Sequence, residues 1–259
     1  MGINLKQVRN NIYLMDESGD STGYIIVGNN KACVIDTMIG RDNVYEVVRG
    51  VTDKPIILVN THGHPDHIYG NVYFDKAYMN EADLGIAKEH MEHPEFVAEC
   101  QKRQLSMPPF ENIKEGDVID LGGLTLEVYE IPGHTLGGIL LLCREERILF
   151  TGDSINHHLW MQLDECTSIK KLVESLERVM FLENDADVIY HGHARDYDDI
   201  SLMRALLEGA KDLVAGKTEN DTPYKWFAGE SMQHPFVVDE TKHFQQNDHV
   251  ICYNKNNIE

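Results

Sequence analysis

The most constraining stretch of the chain is "KPIILVNTHGHPDH", residues 54–67. Its first half is a short continuous run of β-forming apolar residues, the pattern of a buried strand. Its second half places three histidines and an aspartate within six positions at that strand's C-terminal end. Three other apolar runs end in a similar way. "KACVID" (31–36) and "RILFTGD" (147–153) end in Asp, and "DVIYHGH" (187–193) ends in His-Gly-His. Two similar βαβ-containing halves would produce this rhythm, although no literal repeat is visible.

The remaining elements follow from pattern. "NIYLM" (11–15), "GYIIVG" (23–28), the alternating "LTLEVYEI" (124–131) and "GGILLLC" (137–143) read as strands. "RDNVYEVVRGV" (41–51) reads as a helix with Val44, Val47 and Val48 on one face. A helix over about 168–182 carries the stripe Ile169, Leu172, Val173, Leu176, Val179 and Met180, capped by Thr167 or Ser168. A second stripe, from Met203 to Val214, stops at Gly216. Residues 81–106 predict one or two polar helices, broken by "SMPPF". The polar C-terminal forty residues predict two weak strands, "FVV" (236–238) and "VICY" (250–253). No Pro/Gly/Ser-rich linker divides the chain, so one domain over 1–259 is expected.

The chemistry lies at the strand ends. In extended backbone, residues i and i+2 point to one side, so His62 and His64 are placed to share a metal. Pro65 bends the chain, which turns Asp66 and His67 toward a second site. Imidazole with carboxylate suits zinc, iron or manganese, and the lack of a nearby Cys argues against a closed structural zinc site. His134 in "IPGHTLGG", Asp153 in "FTGDS" and His191 or His193 in "YHGHARD" supply further ligands. A lone H-x-H is commonly a surface turn; the six-residue motif with ordered partners is far more specific.

"THGHPDH", followed in order by "PGHTLGG", "TGDS" and "HGHARD", resembles the metallo-β-lactamase superfamily over about residues 10–215. The resemblance implies a four-layer αββα sandwich with the site at one edge of two sheets. It implies that His62, His64 and His134 hold one divalent metal, that Asp66, His67 and His193 hold a second, and that Asp153 bridges them. Zinc is the default, with iron or manganese as alternatives. Asp36 matches the family's outer aspartate that orients the ligands. His193 is preferred to His191 because the family pattern is Gly-His after a strand. Asn156, His157 and His191 are then candidate substrate contacts, and the insert at about 81–110 is expected over the site mouth. Its Met91, Phe96, Met107 and Phe110, with Trp160 and Met161, would form either an apolar wall or the insert's own core. His90 and His93 are expected to be solvated, and His234, His243 and His249 receive no role.

The implied chemistry is hydrolysis by a metal-bridging hydroxide, with Asp66 orienting it and carrying its proton. Departures from family patterns narrow the substrate. Asp153 stands where the main clinical zinc β-lactamases have Cys. His64 stands where flavodiiron proteins have Glu. Asn156 stands where acyl-homoserine lactonases carry Tyr, and the short acidic tail differs from the basic C-terminal domain of glyoxalase II. A small ester-like substrate, thioester first, is therefore expected. A lactonase or phosphodiesterase, a mononuclear iron persulfide dioxygenase-like enzyme and a non-catalytic metal-binding protein are the alternatives.

The formal charge of −20 disfavours nucleic acid and anionic membrane surfaces as partners. No apolar run approaches a transmembrane length, and from the pattern of the N-terminal residues neither a secretory signal nor myristoylation is expected. Five scattered cysteines without C-x-x-C predict no disulfide framework and fit a reducing cytoplasm. The expected partner is a small molecule, and a homo-oligomer is compatible with the composition.

Overall fold

The structure is a computed structural model that describes residues 2–259. Seven strands form a first sheet in chain order: β1 (Ile3–Arg9), β2 (Ile12–Glu17), β3 (Thr22–Val27), β4 (Ala32–Ile35), β5 (Ile56–Val59), β6 (Ala77–Met79) and β7 (Phe110–Asn112). Helix α1 (Val44–Val51) crosses from β4 to the parallel β5. Its Asn43 cap accepts from the Glu46 N–H. The short helix α2 (Pro65–Ile68) and the pair α3 (Leu84–Met91) and α4 (Pro94–Arg103) follow β5 and β6.

The second sheet contains β8 (Val118–Asp120), β9 (Thr125–Glu130), β10 (Ile139–Cys143) and β11 (Ile148–Gly152). After β12 (His158–Met161) and helix α5 (Ile169–Val179), it continues with β13 (Val188–His191) and β14 (Asp198–Asp199). Its order is β14-β13-β11-β10-β9-β8. Helix α6 (Leu202–Val214) leads into β15 (Thr222–Trp226), β16 (Gly229–Pro235) and β17 (Val250–Tyr253). These three join β12 in a third sheet, ordered β12-β17-β16-β15.

Alternation along the strands shows why the layers stack. In β10, Ile139, Leu141 and Cys143 face the first sheet, where they meet Ile12, Leu14, Ile26 and Ile35. Leu140 and Leu142 face the other way, onto Leu172 and Leu176 of α5 and Leu206 and Leu213 of α6. In β4, Cys33 and Ile35 point inward, while Val34 points outward to Val44 and Val48 of α1. A strand whose two faces are both buried reads as a continuous apolar run, which is the form of β4, β5, β10, β11 and β13. The result is helix, sheet, sheet, helix, the expected αββα order.

Parallel pairing brings the polar strand ends together. β4 pairs with β5 through Ile35 opposite Val59, and β11 with β13 through Gly152 opposite His191. The residues that follow these strands therefore emerge at one edge, as in other open α/β sheets.

The expected "FVV" strand is absent. Phe236 is buried against α6, whereas Val237 is 89% exposed, and the strand is instead Gly229–Pro235 just before them. That segment is polar and becomes a strand through pairing on both sides, with β15 and β17. All five cysteines are free. Among the described residues, no helix is long and apolar enough to cross a membrane.

Candidate metal centre

Five histidines and two aspartates from four loops converge at this edge. His62 Nε2 lies 3.0 Å from His64 Nδ1, and His134 Nε2 lies 2.9 Å from the same atom. Beside this trio, Asp153 Oδ2 lies 3.1 Å from His193 Nε2, 3.5 Å from His67 Nε2 and 3.8 Å from His134 Nε2. Asp66 Oδ2 lies 3.5 Å from His193 Nε2 and 3.6 Å from His67 Nε2. Asp153 thus stands between the two groups that the sequence motifs outline.

The outward nitrogens of the five rings all meet acceptors. His67 Nδ1 donates to Asp36 Oδ2 at 2.9 Å, and His64 Nε2 donates to Glu165 Oε1 at 2.8 Å. His134 Nδ1 donates to the Trp160 carbonyl and His193 Nδ1 to the Asp20 carbonyl, both at 2.6 Å. Thr61 Oγ1 gives its proton to Asp36 at 2.7 Å and so accepts from His62 Nδ1 at 3.0 Å. With the outer nitrogen protonated, each neutral ring turns a lone pair inward. Lone pairs about 3 Å apart repel unless a cation or proton lies between them. His67 Nε2 and Asp153 Oδ1 are buried without any hydrogen-bond partner, as a metal-ligand set requires. The donor set therefore fits divalent cations.

Electrostatics divides the rings. Burial, reinforced by neighbouring rings, pushes His62 well below the ordinary histidine range and His134 down to about 4. Burial also opposes charge on His67 and His193, but carboxylates outweigh it. Asp153, Asp66 and Asp36 raise His67, and Asp153 with Asp66 raises His193 to about 9. Burial would raise Asp153, yet His193 and His67 hold it well below the usual carboxylate range.

Asp36 sits beneath the centre with φ of +58°, a left-handed conformation that Asp tolerates better than most residues. From there it also accepts the Thr61 N–H at 2.8 Å. Asn156, His157 and His191 all line the cavity above the centre, which has a volume of about 590 Å³. Asn156 donates to the Asp153 carbonyl at 3.2 Å. His157 and His191 are buried and flank Asp198, at 2.7 and 3.4 Å. These three side chains resemble a third metal site, but His191 Nδ1 accepts the His193 N–H at 3.1 Å. Its Nε2 lies 3.1 Å from the Gln245 side-chain amide nitrogen and 3.4 Å from Asp198, so both ring nitrogens already face protein partners. Asp198 is also filled by two bonds from Gln245, at 2.9 and 2.7 Å. The group forms a buried floor in which His157 Nε2 faces Asp198 without a well-aligned hydrogen bond, and His249 adds a contact with His157 Nδ1 at 2.9 Å.

The insert contributes more than cover. Asp83, in the 3₁₀ turn Glu81–Asp83, accepts from Gly63 N, Thr135 Oγ1 and Gly137 N at 3.0, 2.8 and 2.6 Å. It ties the loop of His62 and His64 to the loop of His134. Burial raises its pKa despite those three donors. Met91, Met107 and Phe110 pack on Ile68, Met79 and Ala87, and Phe96 stacks on Tyr69 at 3.9 Å, so these are the insert's own core. Met161 is likewise core, while Trp160 lines the cavity. His90, expected in solvent, is half-buried beside His64 and also lines the cavity.

Glu165 was not foreseen, because a lone Glu in the polar loop "DECTS" carries no motif. The hydrogen bond from His64 lowers its pKa to about 2, against burial. It fixes the His64 tautomer that turns Nδ1 toward His62 and His134. Glu165→Ala is expected to weaken metal retention by about 10–100-fold. Glu165→Gln, which keeps an acceptor oxygen, should lose less. Competition with a chromophoric chelator measures both, and equal retention in all three proteins would refute this role.

A family model described as the metallo-beta-lactamase superfamily matches residues 18–193. The chain belongs to the metallo-beta-lactamase superfamily, and with its buried His/Asp clusters it is a metal-dependent hydrolase of that fold. It is 28% identical over 192 residues to an acyl-coenzyme A thioesterase MBLAC2 of Gallus gallus, covering 64% of this chain and 69% of the relative. It is 30% identical over 202 residues to a hydroxyacylglutathione hydrolase of Chelativorans sp. (strain BNC1), covering 75% and 73%. Among solved structures, a metallo-beta-lactamase from Pontibacter korlensis superposes with a TM-score of 0.63 at 18% identity. That match covers 82% of this chain and all of the other, and it speaks to the fold alone.

Proposed function

We propose that the protein hydrolyses a small thioester with two divalent cations, zinc by default. His62, His64 and His134 would hold one, Asp66, His67 and His193 the other, with Asp153 between them. The observation that carries this reading is the set of five outward-anchored histidines, whose free nitrogens face one another and two carboxylates. Cations bound there supply Lewis acidity toward an ester carbonyl and bring water's pKa toward neutrality. Asp66, partly open to the cavity, takes the proton that water loses as its oxygen bonds the acyl carbon. It returns that proton to the sulfur as the carbon–sulfur bond breaks. Glu165, Asp36, Thr61 and the Trp160 and Asp20 carbonyls keep the rings oriented. Thioester is favoured because the relatives' names include an acyl-coenzyme A thioesterase and a hydroxyacylglutathione hydrolase. The free cysteines fit a reducing compartment, so we place the enzyme in the cytoplasm with a small-molecule substrate.

The test is elemental analysis of anaerobically purified protein, with turnover of thioester, lactone and phosphodiester panels before and after chelation. Two metals per chain and thioester hydrolysis that chelation abolishes and metal restores are expected. One iron per chain without hydrolysis would overturn the reading. So would two metals with turnover confined to lactones or phosphodiesters.

A further inference from the structure

We propose that the cavity receives an alkyl or aryl acyl group of an uncharged thioester or ester, against a wall formed by Trp160, Leu163, Tyr224 and Phe227. The proposal rests on the hydrolase reading above and adds the chemistry of the acyl and leaving groups. The wall is aromatic and continuous. The Trp160 ring lies 6.3 Å from Tyr224, 5.5 Å from Trp226 and 6.1 Å from Phe227, centroid to centroid. Phe227 stands at the tip of the β15–β16 hairpin and is 89% exposed, an apolar ring that no core uses. A ligand that covers it removes apolar surface from water, which stabilises the complex.

Charge points the same way. Among the described residues, no Lys or Arg lines the cavity. Apart from Asp66 and Asp153 at the metal centre, its acidic residue is Glu165, already engaged by His64. The chain as a whole carries −20. Away from the metal centre, a leaving group bearing phosphates or several carboxylates would meet no Lys or Arg side chain there. Tyr224 and Phe227 also lie beyond residues 18–193, so this part of the wall comes from outside the segment matched to the family.

Trp160 and Trp226 are the two tryptophans of the sequence, so intrinsic fluorescence reports on the wall independently of turnover. The experiment uses metal-loaded full-length protein. Acetyl and hexanoyl thioesters of N-acetylcysteamine are compared with the same acyl groups on glutathione and coenzyme A. The hexyl thioether of N-acetylcysteamine, which has no ester to cleave, is titrated by tryptophan emission.

We expect kcat/KM to rise at least about tenfold from acetyl to hexanoyl on the neutral thiol. The thioether should shift the emission saturably, and Phe227→Ala should reduce both the acyl preference and the thioether affinity about threefold or more. Hydrolysis with a flat acyl profile and no emission change would overturn the wall while leaving the hydrolase. A saturable emission shift with no ester hydrolysed would support the wall and overturn the hydrolase. A tenfold preference for glutathione or coenzyme A thioesters at equal acyl group would overturn the uncharged leaving group.

Discussion

Asp153→Ala is expected to reduce kcat/KM by about 10³-fold or more, since metal sites supply several kcal/mol of charge stabilisation. It should also leave fewer than two metals per chain after dialysis. The reason is geometric. Among the described residues, Asp153 Oδ2 is the one carboxylate oxygen within 4 Å of ring nitrogens from both histidine groups, His134 on one side and His67 and His193 on the other. Two cations held close together repel, and an anion between them offsets that repulsion. Asp153 is suited to this because His193 and His67 keep it ionised in spite of burial. Asp153→Asn keeps the shape and loses the charge, so it should fail nearly as badly. Either variant retaining two tightly held metals would refute the bridging assignment.

The same substitution has a signature in metal-free protein. His193 titrates near 9 because Asp153, with Asp66, outweighs the effect of burial. A histidine raised in this way adds stability that is fully present below its unfolded pKa of about 6.5 and is lost as pH rises through about 9. His193 is partly open to the cavity, so the contribution is screened and small. Thermal unfolding of chelated wild type should show a decline over that interval, and Asp153→Asn should show a shallower one.

The layers were legible wherever burial alone defines an element. A strand covered on both faces must be apolar throughout, and α5 and α6 must carry a stripe, so β4, β5, β10, β11, β13 and both helices could be read directly. The third sheet could not. "GESMQHP" has neither alternation nor apolar content, and it is a strand because β15 and β17 pair with it, which no local pattern encodes. The three-residue strands β6, β7 and β8 escape for the same reason. At the site, the candidate ligands stand in dense motifs and were legible together. Their supports were not, because Glu165 reaches His64 across 101 positions and Asp83 reaches Gly137 across 54. The Trp160 and Asp20 contacts are made by backbone carbonyls, which carry no sequence signal. His90 was misplaced for a related reason. Its helix is polar overall, and its position beside His64 depends on how the insert folds back.

The glycine of "HGH" gives the second large effect. Gly192→Ala is expected to cost about 10²-fold or more in kcat/KM, together with metal content, while the protein stays folded. An added Cβ would lie 2.4 Å from Asp153 Oδ1 and 2.4 Å from His67 Cε1, closer than real contacts allow. Neither neighbour can easily retreat, since His67 is fixed by Asp36 and Asp153 faces His193. The backbone cannot retreat either. Gly192 N donates to the Gly152 carbonyl at 2.8 Å, and the Gly192 carbonyl accepts from Thr22 N at 2.7 Å. The clash must therefore be relieved by moving the candidate ligands. Overpacking of this kind typically costs about 1–3 kcal/mol, which a domain of this size survives, whereas a misplacement of about 1 Å at a reacting centre costs roughly 10²-fold. Gly50→Ala, in α1 with open space around its Cβ, is the control, expected to be neutral or stabilising by up to about 1 kcal/mol. Circular dichroism, metal content and kcat/KM measured on both variants separate the cases. A Gly192→Ala protein with two metals and wild-type turnover would show that Asp153 and His67 do not need the close approach described here. A folded protein that has lost its metals would tie the His-Gly-His motif to the metal centre through its glycine as well as through its histidines.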